Sequence, residues 1–346
     1  MTVVGVAANG EIAMHKIDQV NPDVLILDIH MPVMGGIELL RVLRTTHPDL
    51  PVIVFSSQTN EGAENVMEAL NLGAREYVTK PSRINGGSGI SVIHEQLAPI
   101  IRGLMGRRQQ VLDAPKPALP TAEPGHDSSQ DQPVEKQRPD STPPIDVLAI
   151  ASSTGGPNAL ARLMEDIPES FPVPIVITQH MPPDFTRHLA ARLDKLTGIT
   201  VAEGVEGAPL EPGRAWIAPG GHHMVVTTRG GTPPRIMITE DPPENSCRPA
   251  ADPMLRSVVD VFGSNVLAVV LTGMGSDGLI GCRHVVDAGG RVLTQDEESS
   301  VVWGMPGYVT EAGLSDKVLP LERIGSAITR WVASSRRGQV DTSTDA

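Results

Sequence analysis

Cysteine is nearly absent: Cys247 and Cys282 are the only two in 346 residues. Two are too few for a disulfide framework or a four-ligand zinc site, so both read as small core or surface residues. Aromatic residues make up 3% of the chain, which leaves Val, Ile, Leu, Ala and Met to build any core. Basic residues are outnumbered, 28 Lys and Arg against 41 Asp and Glu, for a net charge of −13. That balance argues against nucleic acid, whose affinity comes largely from cationic contacts to phosphate. No apolar run is long enough to span a membrane, and no signal-peptide pattern opens the chain. A soluble, reducing, cytoplasmic setting is expected.

What is present is enough apolar residue, 40%, for ordinary cores, and a length that suggests two domains. The chain is organised around Ile145–Pro157. Val147 to Ala151 is a short apolar run, followed by Ser152-Ser-Thr-Gly-Gly156, then Pro157 and a helical pattern over 158–164. Proline is favoured at the first helical position, so this is strand, tight turn, helix. Ser153 sits where such a turn lifts a side chain off the sheet edge, beside the N–H groups of a helix N-terminus. A serine nucleophile with an oxyanion site needs that arrangement. A Ser/Gly loop that only caps a helix, and a phosphate-cradling loop, are the alternatives.

Residues 1 to about 105 alternate strands with helices. Strands are expected at Thr2–Ala7, Val24–Leu27, Pro51–Phe55 and Glu76–Thr79, and helices at Gly10–Val20, Gly36–Thr46, Glu61–Leu72 and about Ile90–Leu104. The alternation means a parallel sheet covered on both faces. Asp28, Ser56 and Lys80 fall at the carboxyl ends of three strands, where ligands bind in such sheets. A carboxylate, a hydroxyl and an ammonium there make a plausible phosphoryl-acceptor site, with Asp28 as acceptor and Ser56 and Lys80 holding the phosphoryl oxygens. With Asp28-Ile-His-Met-Pro32 and Thr79-Lys-Pro81, the module resembles a response-regulator receiver domain.

Two departures matter. The acidic pair that binds Mg²⁺ after the family's first strand is missing, together with that strand and the first helix, and Gly35 stands where Asp is common. Asp28 alone is a poor site for a hard cation. Little phosphate uptake on Asp28 and a destabilised first module are therefore expected, with the natural start lying further upstream.

From about 106 to 143 proline recurs among Ser, Asp, Glu, Gln and Lys with no apolar stripe, which reads as a flexible linker. The second module, 144–335, carries three buried-type strands, each followed by a turn and a helix. Ser153, His180 and Asp277 lie just past their ends, after Val147–Ala151, Val173–Thr178 and Asn265–Leu271. Serine, histidine and aspartate are the nucleophile, base and orienting carboxylate of a hydrolytic triad. The Gly-x-Ser-x-Gly elbow is missing, and the order Ser, His, Asp is not that of α/β-hydrolases. Residues 336–346 read as a polar tail, and Glu203–Arg235 as an antiparallel hairpin appended to the sheet. His222-His223 reads as loop rather than metal site for want of acidic or thiol partners. Trp216 and Trp303 are expected in the core or lining the cleft.

Ser153-Thr-Gly-Gly156, Gln179-His-Met-Pro182, Thr272-Gly-Met-Gly-Ser-Asp-Gly278 and Gly304-Met-Pro-Gly307 resemble the chemotaxis protein-glutamate methylesterases, a family that joins a receiver to its catalytic domain. Cys247-Arg-Pro249 stands where that family often has His-Arg-Pro. The resemblance implies two doubly wound α/β domains, one flavodoxin-like and incomplete, one Rossmann-like. It implies hydrolysis of γ-glutamyl methyl esters on the cytoplasmic helices of methylated chemoreceptors, and deamidation of receptor glutamines. It implies a histidine kinase as phosphodonor, and catalysis by Ser153, His180 and Asp277 with no metal in the catalytic domain. Thr154, the Met274 N–H and Arg248 are candidates for the oxyanion site and cleft. A non-catalytic signalling or scaffold module is the alternative from another class. Nucleotide binding at Ser152–Gly156 is a weaker one, since the Lys of a P-loop and the spacing of a dinucleotide fingerprint are missing.

Overall fold

The structure, a computed structural model, describes residues 1–80, 96–105, 143–228 and 233–337. The expected linker at 106–142 and the segments 81–95 and 338–346 lie outside the described residues. The first unit contains α1 (Gly10–Val20), β1 (Leu25–Asp28), α2 (Gly36–Thr46), β2 (Val52–Ser56), α3 (Asn60–Asn71), β3 (Glu76–Thr79) and α4, described over 96–105. The strands form a parallel sheet in the order β1-β2-β3. Asn9 caps α1 by accepting the Ile12 N–H at 3.0 Å, and Thr59 caps α3 by accepting that of Gly62 at 3.0 Å.

The expected strand at Thr2–Ala7 does not form. Residues 1–7 have no regular structure, and Val3, Val4 and Val6 are exposed. A strand exists through its ladder to a neighbour, and no neighbour is there. A groove of about 560 Å³ separates this segment from β1, lined by Val6, Ile17, Leu27 and Ile101 among others. β1 thus has one open edge. Its Leu25 N–H donates to Pro51 O at 2.9 Å on the β2 side, so strand alternation turns the Ile26 N–H towards the groove.

The second unit runs β4 (Val147–Ser152), α5 (Gly156–Met164), β5 (Ile175–Gln179), α6 (Phe185–Asp194), β6 (Thr200–Glu203), β7 (Arg214–Ile217), β8 (His223–Thr227), β9 (Arg235–Thr239), α7 (Ala251–Phe262), β10 (Val266–Val270), α8 (Leu279–Asp287), β11 (Arg291–Gln295), α9 (Met305–Glu311), β12 (Lys317–Leu319) and α10 (Leu321–Arg337). Seven strands form one parallel sheet in the order β12-β11-β10-β4-β5-β7-β6. β4 is wholly buried. Leu148 and Ile150 point into one core, while Val147, Ala149 and Ala151 point into the other, which is why the run is continuously apolar.

Three expectations are corrected. Only half of the Glu203–Arg235 stretch belongs to a hairpin: Arg214–Ile217 joins the main sheet in parallel, and the antiparallel pair is β8–β9. α10 continues through Arg337, past the expected start of the polar tail at 336. His223 lies in β8 rather than in a loop. Its ring accepts the Ala250 N–H at 3.2 Å and meets Pro242 O at 3.1 Å, which fastens the hairpin to the start of α7.

The two units touch along α3, β3 and α4 of the first and the N-terminal part of α5, the length of α6 and the loop at Val301 of the second. Tyr77 stacks on Phe185 with ring centroids 5.4 Å apart. Arg192 donates to Asn71 Oδ1 at 2.7 Å and to Asn158 Oδ1 at 2.9 Å, and Asn158 donates to Ala74 O at 3.0 Å.

The open edge of β1 has a measurable consequence. The amide of Ile26 is expected to exchange with solvent at least about a hundredfold faster than that of Ile150 in central β4, because local opening sets exchange at an unpaired edge. Hydrogen exchange read by NMR checks this, and equal protection would show that the edge is covered.

Candidate active site

The chain leaves β4 for α5 on one side of the sheet and returns through β10 on the other, so a crevice opens between the carboxyl ends of β4 and β10. Doubly wound sheets bind ligands at such a switch point. Ser153 follows β4 directly. Its N–H donates to Thr272 O at 3.0 Å, which ties the serine turn to the loop after β10. Gly273 faces it closely: a Cβ there would lie 2.8 Å from Ser153 Cβ. Gly155, with φ +80, caps α5 in a conformation that suits glycine.

His180 follows β5, one residue beyond the Ser152–Gln179 register pair. Its N–H donates to Ser152 O at 3.1 Å, so Ser153 and His180 stand at the ends of adjacent strands. His180 Nε2 lies 2.7 Å from Asp277 Oδ2, and its Nδ1 lies 3.5 Å from Cys247 Sγ. Asp277 is 1% exposed. Oδ2 also accepts the Ala251 N–H at 2.6 Å, and Oδ1 accepts those of Asp252 at 3.1 Å and Gly278 at 3.0 Å. Burial pushes the His180 pKa down, but the hydrogen bond to Asp277 and the contact with Cys247 outweigh it and hold the imidazole at about 9. Burial opposes the Asp277 charge as well, yet His180 and the N–H donors bring its pKa below the ordinary value. Both directions describe one ion pair. Its contribution to stability from His180 is complete below pH about 6.5 and is lost as pH rises through about 9.

The structure thus joins His180 to Asp277 and sets Ser153 beside them, while no hydrogen bond links Ser153 to His180 among the described residues. Met274 is exposed at the mouth of the crevice, and its backbone N–H has no acceptor there among the described residues. Thr154 lends its carbonyl to Thr272 Oγ1 at 2.8 Å. Arg248 turns to the carbonyls of Glu240 and Asp241, at 2.9 and 3.2 Å, and fastens that loop. Trp216 is core, and Trp303 donates to Gln295 O at 3.2 Å.

In the first unit Lys80 Nζ lies 2.6 Å from Asp28 Oδ2. Ser56, at the end of β2, is buried and donates to Gly62 O at 3.3 Å instead of facing Asp28.

Four residues near the crevice have roles that the sequence alone does not assign. Gln179 Oε1 accepts from Ser152 Oγ at 2.7 Å, and its Nε2 donates to Ser153 O at 2.8 Å, bracing the serine turn. Asn245 and Asp252 lie behind Asp277. Glu76, on β3 of the first unit, is buried and accepts the Gly155 N–H, two residues from Ser153.

Two family models match the chain: CheB methylesterase over residues 148–328 and the response-regulator receiver domain over residues 1–86. The chain belongs to the CheB methylesterase family. A protein-glutamate methylesterase/protein-glutamine glutaminase of Trichodesmium erythraeum is 45% identical over 95% of this chain and 91% of its own. One from a Nocardioides species is 45% identical over 96% and 89%. The crystal structure of the Thermotoga maritima CheB methylesterase catalytic domain is 40% identical and covers 54% of this chain and 98% of its own, with a TM-score of 0.52. The three- and seven-stranded sheets are parallel, the α/β architecture expected of the family. Among the described residues no helix is long and apolar enough to cross a membrane.

The ion pair predicts the pH profile. With His180 as the base proposed below, ester hydrolysis uses its neutral form, and kcat/KM is expected to climb with pH and level off only above about 9. Asp277→Asn removes the charge that holds the proton. Its limb should fall to lower pH while the plateau drops by about 10³–10⁴-fold. A pH–rate series on both proteins checks this, and an Asn variant with unchanged plateau would give the orienting role to another group.

Proposed function

We propose that this chain hydrolyses γ-glutamyl methyl esters on chemoreceptor cytoplasmic helices, and deamidates receptor glutamines, through Ser153, His180 and Asp277. The observation that carries the reading is the buried His180–Asp277 pair at the end of the strand next to Ser153, 2.7 Å between Nε2 and Oδ2. His180 takes the Ser153 proton as Oγ attacks the carbonyl carbon. The Met274 N–H faces the developing oxyanion. Return of the proton releases methanol from an ester, or ammonia from an amide, and leaves a glutamyl-enzyme. Water then adds with His180 as base and frees the glutamate. Asp277 keeps the imidazole oriented and stabilises its cation.

The serine pair separates the roles. Ser152 is wholly buried and bonded to Gln179, whereas Ser153 is partly open to the crevice. Ser153→Ala is expected to lower methanol release from a methylated receptor fragment by about 10⁴-fold or more and to abolish labelling by a serine-reactive phosphonate. Ser152→Ala should keep activity and lose about 1 kcal/mol of stability with its hydrogen bond. The reverse pattern would move the nucleophile to Ser152.

The receiver regulates this site by lying against it. Glu76 plugs the N-terminal end of α5 at Gly155, beside the serine turn, and the tether allows release without loss of local concentration. The Mg²⁺ that receivers imply does not fit the residues present. Asp28 stands with Lys80 on one oxygen and the His30 N–H on the other, and no group of three possible ligands gathers among the described residues. A hard cation needs several oxygens, so low phosphate uptake on Asp28 follows, with a histidine kinase as the donor for such uptake as occurs.

Burial raises the Glu76 carboxyl to about 7, against the pull of two backbone N–H bonds, from Tyr77 and Gly155. Released into solvent it returns to about 4.5. Its protonation therefore favours the docked state fully below about pH 4.5, and that preference is lost as pH rises through about 7. The activity of the full chain, divided by that of residues 143–346, should rise between pH 5 and 8. Glu76→Gln, which keeps an acceptor and no charge, should flatten that ratio. A ratio of one throughout would remove the inhibitory contact.

A further inference from the structure

A second carboxylate is buried behind the catalytic one. Asp252, in the first turn of α7, has no exposed surface. Its Oδ1 accepts the Gly281 N–H at 2.6 Å, and its Oδ2 accepts from Asn245 Nδ2 at 3.0 Å. The same Nδ2 donates to Asp277 Oδ1 at 3.0 Å. A side-chain amide nitrogen has two hydrogens, and here each goes to a different carboxylate.

The turn that delivers the amide is built for it. Glu244 and Cys247 exchange backbone hydrogen bonds at 3.1 and 2.8 Å. Between them Asn245 and Ser246 both adopt left-handed backbone, φ 51 and 62, in a two-residue turn of the kind that favours Asn at its first position. Glu244 is held by Arg256 of α7 through two hydrogen bonds, at 3.0 and 2.5 Å. One end of the turn is thus pinned to α7. The other sets Cys247 Sγ 3.5 Å from His180 Nδ1.

We infer that Asn245 is a positioning residue for the esterase: by bridging Asp277 and Asp252 it screens two buried anions from each other and fixes the face that Asp277 offers to His180. This rests on the reading of Asp277 as the partner of His180, which the Asp277→Asn profile tests separately. With three N–H donors on Oδ1, Asp277 cannot rotate, and Oδ2 is left for His180 and the Ala251 N–H. Asp252 anchors the amide from behind; burial and the Asp277 charge raise its carboxyl above the ordinary value, the Gly281 N–H, Asn245 and Arg256 pull it back, and in its ionised form it adds negative charge to the field at His180. The charged and titratable groups around the cluster are His180 and Cys247 above, Arg256 with its partner Glu244 at the side, and Cys282 of α8 below.

The test is a double-mutant cycle on the full chain, read as methanol release from a methylated receptor fragment across pH, with thermal melts of each variant. Asn245→Ala is expected to lower kcat by about ten- to hundredfold, the rate equivalent of one hydrogen bond to a charged group, with KM unchanged. Asp252→Asn should move the acid limb of kcat/KM to lower pH by at least about 0.5, since an anion near His180 is gone. The double variant, with no second anion to screen, should recover at least about fivefold in kcat over Asn245→Ala alone. A purely structural role predicts losses that add and a limb that stays in place, and either result overturns the inference. A raised KM with unchanged kcat in Asn245→Ala would make Asn245 a substrate contact and overturns it as well. If Asn245→Ala does not fold, the limb of Asp252→Asn decides alone.

Discussion

The buried charge of Asp277 is the constraint that organises the catalytic unit. An isolated carboxylate removed from water costs several kcal/mol even after relaxation. It is tolerated only where hydrogen-bond donors converge on it. Here five donors do, counting His180, Asn245 and the backbone N–H groups of Ala251, Asp252 and Gly278. Those donors come from the end of β5, from the start of α7 with the turn before it, and from the loop after β10. Three stretches far apart in sequence are thus held to one atom group, and the crevice takes its shape from that requirement. The approach of Gly273 to Ser153 is a second consequence. The loop that carries Asp277 must begin right against the serine turn, and a side chain at 273 would hold the two apart.

Much of this was legible in the sequence, for a physical reason. A strand buried on both faces must be continuously apolar, and a parallel strand must end at the edge where ligands bind. Val147–Ala151 and Val266–Val270 show the first property, and the polar residues just beyond them inherit the second. Ser153, His180 and Asp277 could therefore be gathered without knowing the strand order. Asn245 and Asp252 could not. Asn245 acts from a turn whose residues have no periodicity, and Asp252 looks like an ordinary acidic residue in the first turn of a helix, where such residues are common. Nothing in the local pattern says that its carboxylate has no exposed surface. Glu76 escaped for a related reason: alternation marks it as facing one side of β3, but only the second unit decides that this side is buried.

The failure at Thr2–Ala7 has a different origin. The residues have strand composition, with three valines in the first six positions, yet intrinsic preference for extended backbone contributes at most about 1 kcal/mol and depends on a partner. Without one, the valines stay in solvent and the groove beside β1 stays open. Pattern identifies what a segment can be; the ladder decides whether it becomes it.

The same dependence on partners links the two units. β3 carries Glu76 at its start, bonded to Gly155, and leads directly to Lys80, bonded to Asp28. Four residues of strand span about 13 Å, so the Asp28–Lys80 pair and the serine turn lie at opposite ends of one short rigid element. Tyr77, between them, is stacked on Phe185 at the start of α6. A change of charge at Asp28 that pulls on Lys80 acts on a strand that touches the catalytic unit through Glu76 and Tyr77 and its own unit through β2 and, at Val78, through α4. Because Glu76 is buried, its hold on Gly155 exists only while the units are packed; a shift of β3 that lets water reach the carboxylate favours its ionised, released form. The contact thus responds to its own electrostatics: buried against Gly155 the carboxyl titrates at about 7, and in solvent it is an ordinary carboxylate.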